Sequence, residues 1–203
     1  MIQTITKDKI QFQFDPKVEP AAFANSGDTV CFDCQDCYAE QLTEDRMEFS
    51  RMDMTRNNPI TGPLFVNGAE PGDVLKVEIL KIDLEDHGVM CVRTGKGIYE
   101  VDGCFCRRFD IEDGIIHWDR GLDIPVRPMI GVIGTCPTEP ESTQVPGNME
   151  EIWIFVNWVK ERSFTYRYLC REQIFPWPIF MQFRAMAKLL SAVWNAAEKL
   201  PCE

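Results

Sequence analysis

Three cysteines, Cys31, Cys34 and Cys37, stand in a C-x-x-C-x-x-C run with Asp36 inside it. Thiolates at this spacing can hold zinc or an iron–sulfur cluster, but such sites need a fourth ligand. No fourth cysteine follows at ferredoxin spacing, so completion would fall to His87, Cys104 or Cys106. The simpler reading treats the three thiols as small apolar residues filling positions on a strand. Other groups able to move protons are few. The chain has two histidines, His87 and His117. His117 adjoins Trp118, the setting of a packing or surface histidine, and a general base must first be placed within reach of its proton. Asp36, taken alone, suits a turn or a helix N-cap. Gly95-Lys96-Gly97 lacks the glycine–lysine frame of a phosphate loop.

The elements that must position these residues are short strands. Ile10, Phe12 and Phe14 alternate with Gln11 and Gln13, and Thr29 to Asp33 reads as a second strand leading into the cysteine run. Asn58 to Leu80 is the best-specified stretch, N-P-I-T-G-P-L-F-V-N-G-A-E-P-G-D-V-L-K-V-E-I-L. Asn58-Pro59 and Gly62-Pro63 read as stiff turns, Leu64 to Val66 as a buried run, and Asn67-Gly68 and Pro71-Gly72 as tight turns. Val74 to Ile82 follows as a strand with Leu75, Val77 and Ile79 on one face. Gln41 to Thr55 is charged and methionine-rich, without a period, and reads as a surface loop with one helical turn. Further strands are expected at Val89–Val92, Cys104–Phe109, Ile115–Trp118, Ile124–Val126 and Met129–Ile133, with a hairpin at Glu112-Asp113-Gly114. Turns every eight to twelve residues predict a mainly β domain, a sandwich or barrel.

Three motifs together carry a resemblance: N-P-I-T-G-P, G-A-E-P-G-D-V-L-K-V-E-I and P-M-I-G-V-I-G at Pro128 to Gly134. Over about residues 28–147 the chain closely resembles the acetamidase/formamidase family. The resemblance implies hydrolysis of short aliphatic amides to carboxylate and ammonia, with a small-molecule amide as substrate. It also implies that Asp36 points toward the active site, as an oxygen ligand to a divalent metal, zinc. Such a metal polarises the amide carbonyl and lowers the pKa of its water.

Composition bounds the alternatives. A chain of 203 residues holds one domain or two small ones. Its net charge of −11 argues against nucleic acid as a partner. No stretch is long and apolar enough to span a membrane, and no signal-like segment opens the chain, so a cytoplasmic protein is expected. Nine cysteines, an odd number, then read as reduced thiols.

The composition breaks at Gly147. All thirteen glycines lie at or before it, and four of the five tryptophans lie beyond it. The tail from Asn148 carries seven basic and six acidic side chains, so the acidity belongs to residues 1–147. Read back through degenerate codons from the third base, Asn148–Ile154 permits His-Gly-Gly-Asn-Met-Asp. Thr165–Gln173 permits Leu-Pro-Val-Phe-Val-Pro-Gly-Ala, and Met181–Leu190 permits His-Ala-Val-Gln-Gly-Asp-Gly-Glu-Val. These are motifs of the resembling family in their order, so residues 148–203 read as the product of a shifted frame, lacking the family's downstream imidazole and carboxylates. The tail retains a helical stripe of Phe183, Met186, Ala187, Leu190, Val193, Trp194 and Ala197, which predicts a helix over 180–200. That stripe is expected to be sticky, and the protein to be a homo-oligomer. The chain is thus expected to be an impaired amide hydrolase. The alternative is a non-catalytic β-domain serving as a binding or oligomerisation module.

Overall fold

Strands follow one another at short intervals because β-forming residues alternate with turn-forming Gly, Pro, Asn and Asp. The computed structural model describes residues 2–70, 74–92, 94, 105–118, 121–144, 163–167 and 180–186. In chain order the strands begin with β1 (Gln3–Ile5), β2 (Ile10–Gln11), β3 (Gln13–Phe14), β4 (Ala22–Ala24) and β5 (Val30–Phe32). Then come β6 (Ile60–Val66), β7 (Val74–Glu78), β8 (His87–Val92), β9 (Phe105–Glu112) and β10 (Ile115–Trp118). The last are β11 (Leu122–Pro125), β12 (Met129–Thr135), β13 (Glu141–Ser142), β14 (Ser163–Arg167) and β15 (Phe180–Met186). Two 3-10 turns, Phe49–Arg51 and Met54–Arg56, separate β5 from β6. Among the described residues there is no α-helix, and the protein is mainly β as its alternation predicts. No helix is long and apolar enough to cross a membrane among these residues.

The largest sheet runs β12-β15-β6-β2, with β4 alongside β6 in parallel. Its organising strand is β6, whose residues Ile60 to Leu64 are all buried. Gly62-Pro63, expected as a turn, lies inside this strand with a cis peptide bond. Proline lacks an N–H to donate, but the other backbone groups at this bond have partners. The Gly62 N–H donates to the Lys9 carbonyl at 2.9 Å, the Gln11 amide donates to the Gly62 carbonyl at 3.1 Å, and the Ala21 N–H donates to the Pro63 carbonyl at 2.8 Å. Ile60 is 0% exposed and packs with Phe14 and Val132.

A second core joins Ile5, Ala22, Ala24, Leu64, Ile79 and Ile133, with Leu75 and Val77 against it. The regular strand β7 stops at Glu78, short of the expected Ile82, although the inward alternation continues to Ile79. A separate four-stranded sheet is the meander β8-β9-β10-β11. Its β9–β10 hairpin turns at Asp113 and Gly114, both at positive φ (50° and 74°), as a two-residue turn of the primed type requires.

Three sequence expectations are corrected. Gln41 to Thr55 is not merely a surface loop: Leu42, Met47 and Met52 form a buried cluster with Cys106. The segment is held down on β9, where the Arg46 N–H donates to the Cys106 carbonyl at 2.8 Å and Asp45 accepts from Arg107 Nε at 3.1 Å. Nor are all thiols reduced. Cys91 and Cys106 face each other across β8 and β9, Cα atoms 4.2 Å apart, and form a disulfide. Chain-wide cysteine counting does not detect a pair that strand register creates. Finally, Phe180–Met186, the first turns of the expected 180–200 helix, is strand β15, paired with β6 on one side and β12 on the other. A strand inserted between two others has its backbone groups bonded on both sides, whereas helical periodicity considers one segment alone. Residues 187–200 of that expected helix lie outside the described residues.

Candidate active site

The half-buried Asp36 carboxylate is built by the turn after β5. Parallel pairing of β5 with β1 carries the chain to Asp33, whose N–H donates to the Ile5 carbonyl at 2.9 Å. From there the backbone folds over Asp36. One oxygen, Oδ1, accepts the N–H groups of Tyr38 at 2.7 Å and Glu40 at 3.0 Å. The Asp36 carbonyl accepts from the Ala39 N–H at 3.1 Å. Asp36 thus does what an aspartate in a turn does, and Ala39 and Glu40 adopt positive φ, 55° and 56°, to close it.

Neighbouring segments clamp this turn. The Asn58 N–H donates to the Cys37 carbonyl at 2.8 Å, and the buried Thr61 hydroxyl donates to the Asp33 carbonyl at 3.0 Å. The Gln35 amide donates to the Lys7 carbonyl at 3.3 Å, and Lys7 Nζ reaches Glu40 at 2.7 Å. Hence the N-P-I-T-G-P motif does more than turn the chain: Thr61 on β6 and Asn58 just before it brace the Asp36 turn. Spacing alone gives no sign of this, although a threonine on a wholly buried strand face, needing a hydrogen-bond partner, was the available signal.

Burial is the largest influence on Asp36 and pushes its carboxyl above the usual carboxylate range. The N–H groups of Glu40 and Tyr38 pull it back, while the charges of Glu40 and Glu85 push the same way as burial. A carboxyl so shifted holds its proton to higher pH than an exposed aspartate does.

The other sequence candidates are placed as follows. His87 opens β8, with Nδ1 3.0 Å from Asp86 Oδ1 and Nε2 3.3 Å from Glu85 Oε2. His117 is exposed and pairs across the β10–β11 ladder with Asp123 at 2.7 Å, and the hydrogen bond and charge of Asp123 raise its pKa. Cys31 is exposed, Cys34 and Cys37 are half-buried, Cys106 is in its disulfide, and Cys104 lies outside the described residues. Among the described residues no three His, Cys, Asp or Glu side chains gather to hold a metal ion. The described part of the chain therefore does not fit a three-ligand zinc site, although Asp36 itself is a suitable oxygen donor.

The chain is a mainly β domain that holds a half-buried carboxylate, Asp36, in a clamped turn. Residues 3–152 match the sequence profile of the Acetamidase/Formamidase family. The chain belongs to that family. A formamidase-like protein of Schizosaccharomyces pombe is 28% identical over 147 residues, covering 63% of this chain and 34% of the relative. An acetamidase of Bacillus halodurans is 30% identical with a TM-score of 0.82, covering 91% of this chain and 62% of that one. A predicted acetamidase/formamidase of the thermophile Thermoanaerobacter tengcongensis is 29% identical with a TM-score of 0.76, covering 92% and 62%. The chain thus spans about a third of the curated relative and about three-fifths of these structures. The profile match stops at residue 152, close to the compositional break.

Proposed function

We propose that this chain derives from an amide hydrolase whose complete site converts short linear amides and water to carboxylate and ammonia. The observation that carries the reading is the family match over residues 3–152, which contains the half-buried Asp36 with its raised pKa. Asp36 is the surviving part of the site. Its Oδ1 is committed to two N–H groups, which fixes the carboxyl plane and leaves Oδ2 as the atom to meet substrate, water or metal. A divalent metal, zinc, is the cofactor of the complete site, and it supplies carbonyl polarisation and water activation when bound. Three protein ligands hold such an ion, and the described residues do not gather three. The missing donors fit a tail read in a shifted frame after Gly147. The 203-residue chain is accordingly an impaired enzyme.

The experiment is ammonia release from formamide and acetamide, together with elemental analysis, for this chain and for one with the alternative frame restored after Gly147. The restored protein is expected to turn over and to carry zinc; Asp36→Ala in it lowers both. Robust turnover by the chain as it stands overturns the impairment. A restored protein that folds but releases no ammonia leaves the non-catalytic binding or oligomerisation module as the surviving reading.

A further inference from the structure

Cys91 and Cys106 are the only cysteines among the described residues joined to each other, and their disulfide sits beneath the segment that continues from the Asp36 turn. Cys106 is 1% exposed and belongs to the cluster of Leu42, Met47 and Met52, with Tyr38 and Cys91 packed against it. The Arg46 N–H caps the Cys106 carbonyl at 2.8 Å, and Asp45 accepts from Arg107 Nε at 3.1 Å and the Arg108 N–H at 3.2 Å. The segment returns to the Asp36 turn through Gln41. Its amide donates to the Tyr38 carbonyl at 2.8 Å and the Asp53 carbonyl at 3.1 Å, while its Oε1 accepts from the Asp53 N–H at 2.8 Å. A continuous set of packed and hydrogen-bonded groups therefore joins Cys106 to the residue whose N–H holds Asp36.

We propose that Cys91–Cys106 is a reversible thiol–disulfide site, and that its redox state sets the rigidity of residues 42–54 and through them of the Asp36 turn. The inference does not depend on amide hydrolysis. The oxidant is a low-molecular-weight disulfide such as oxidised glutathione. The half-buried Cys91, as thiolate, attacks one of its sulfurs, forms a mixed disulfide and releases one thiol. Cys106, as thiolate, then attacks the Cys91 sulfur and releases the second thiol. Two electrons pass from the two cysteine sulfurs to the reagent, and their two protons end on the released thiols. Strand register places the two residues opposite each other in either state, so the second step is intramolecular. Reduction replaces one covalent link by two thiols standing at van der Waals separation, in an interior too densely packed to absorb the change without moving Met47 and Met52.

The test uses the full chain equilibrated in glutathione buffers from fully reduced to fully oxidised. Free thiols are alkylated, and the denatured protein is cut with chymotrypsin, which cleaves after Phe105 and so separates Cys104 from Cys106. The expected result is a Cys91–Cys106 peptide that appears with oxidation and disappears with reduction. Amide exchange in β8 and β9 slows on oxidation by on the order of a hundredfold, the loop-closure effect of a link between residues 15 apart. Exchange in residues 42–54 and at Tyr38 slows in the same direction. A Cys91 that stays alkylatable at every ratio, or pairs with another cysteine, overturns the proposal. So does equal exchange of residues 42–54 in the two states. Because the wild-type protein supplies every readout, no variant needs to fold; Cys91→Ser, where it folds, is expected to exchange identically in both buffers.

Discussion

Replacing Thr61 by Val tests how the largest sheet supports the candidate site. Thr61 is 1% exposed on β6, and its hydroxyl donates to the Asp33 carbonyl at 3.0 Å, three residues before Asp36. Valine keeps the volume and the β-branched shape that suits a strand, so the change removes one hydroxyl and little else. A hydrogen bond of this kind contributes about 1 kcal/mol net, and an acceptor left buried without a donor costs about 1–3 kcal/mol. Asp33 is an exposed residue, so water replaces part of the lost donor and the expected loss lies near about 1 kcal/mol. For a chain of this size that lowers Tm by about 2–4 °C. The local effect is more telling. Loss of this tie leaves the turn braced by the Asn58–Cys37 bond just before β6, and exchange of the Tyr38 and Glu40 amides should quicken about fivefold, the equivalent of ~1 kcal/mol. Thr61→Ser is the control. It keeps the donor and loses a methyl group, so it should lower Tm through packing while leaving exchange at Tyr38 and Glu40 near wild type. If Thr61→Val leaves both Tm and those two amides unchanged, the brace does not exist.

Ile60→Ala, which empties a fully buried position against Phe14 and Val132, should cost about 2–5 kcal/mol in denaturant unfolding; a loss below about 1 kcal/mol would contradict that packing. Asp36 should also shape the pH dependence of stability. Its folded-state pKa is raised, so between the unfolded value of about 3.9 and the raised value the folded protein holds more protons than the unfolded one. Stability contributed here is full below the unfolded pKa and falls as pH rises through the folded pKa. Tm against pH should therefore fall more steeply over that window in wild type than in Asp36→Asn, and identical profiles would refute the assignment. Ending the chain after Gly147 removes β15 and strips β6 and β12 of the strand between them. The central strand β6 becomes an edge and β12, already at the end of the order, loses its neighbour, and gel filtration should find aggregates or unfolded chain; a monomer with a sharp unfolding transition would show that the tail is dispensable.

How much was legible in the sequence follows the range of the interactions involved. The mainly β character, the Asp113-Gly114 hairpin and the inward face of Leu75, Val77 and Ile79 were readable because alternation and turn chemistry act over a few residues. The family was readable from three motifs, since turns and strands of that specificity seldom co-occur by chance. Asp36 was selected by position within the family, but its raised pKa was not, because burial and the approach of Glu85 depend on residues far along the chain. Tertiary structure alone decided that Gly62-Pro63 continues a strand, since the groups bonded to it come from Lys9, Gln11 and Ala21. It decided that methionines in a charged loop are core, because the surface that buries them is β9. It turned Phe180–Met186 from an expected helix into a strand, because β6 and β12 offer hydrogen-bonding partners on both sides. And it paired Cys91 with Cys106, because register, which only a formed sheet possesses, sets which residues stand opposite.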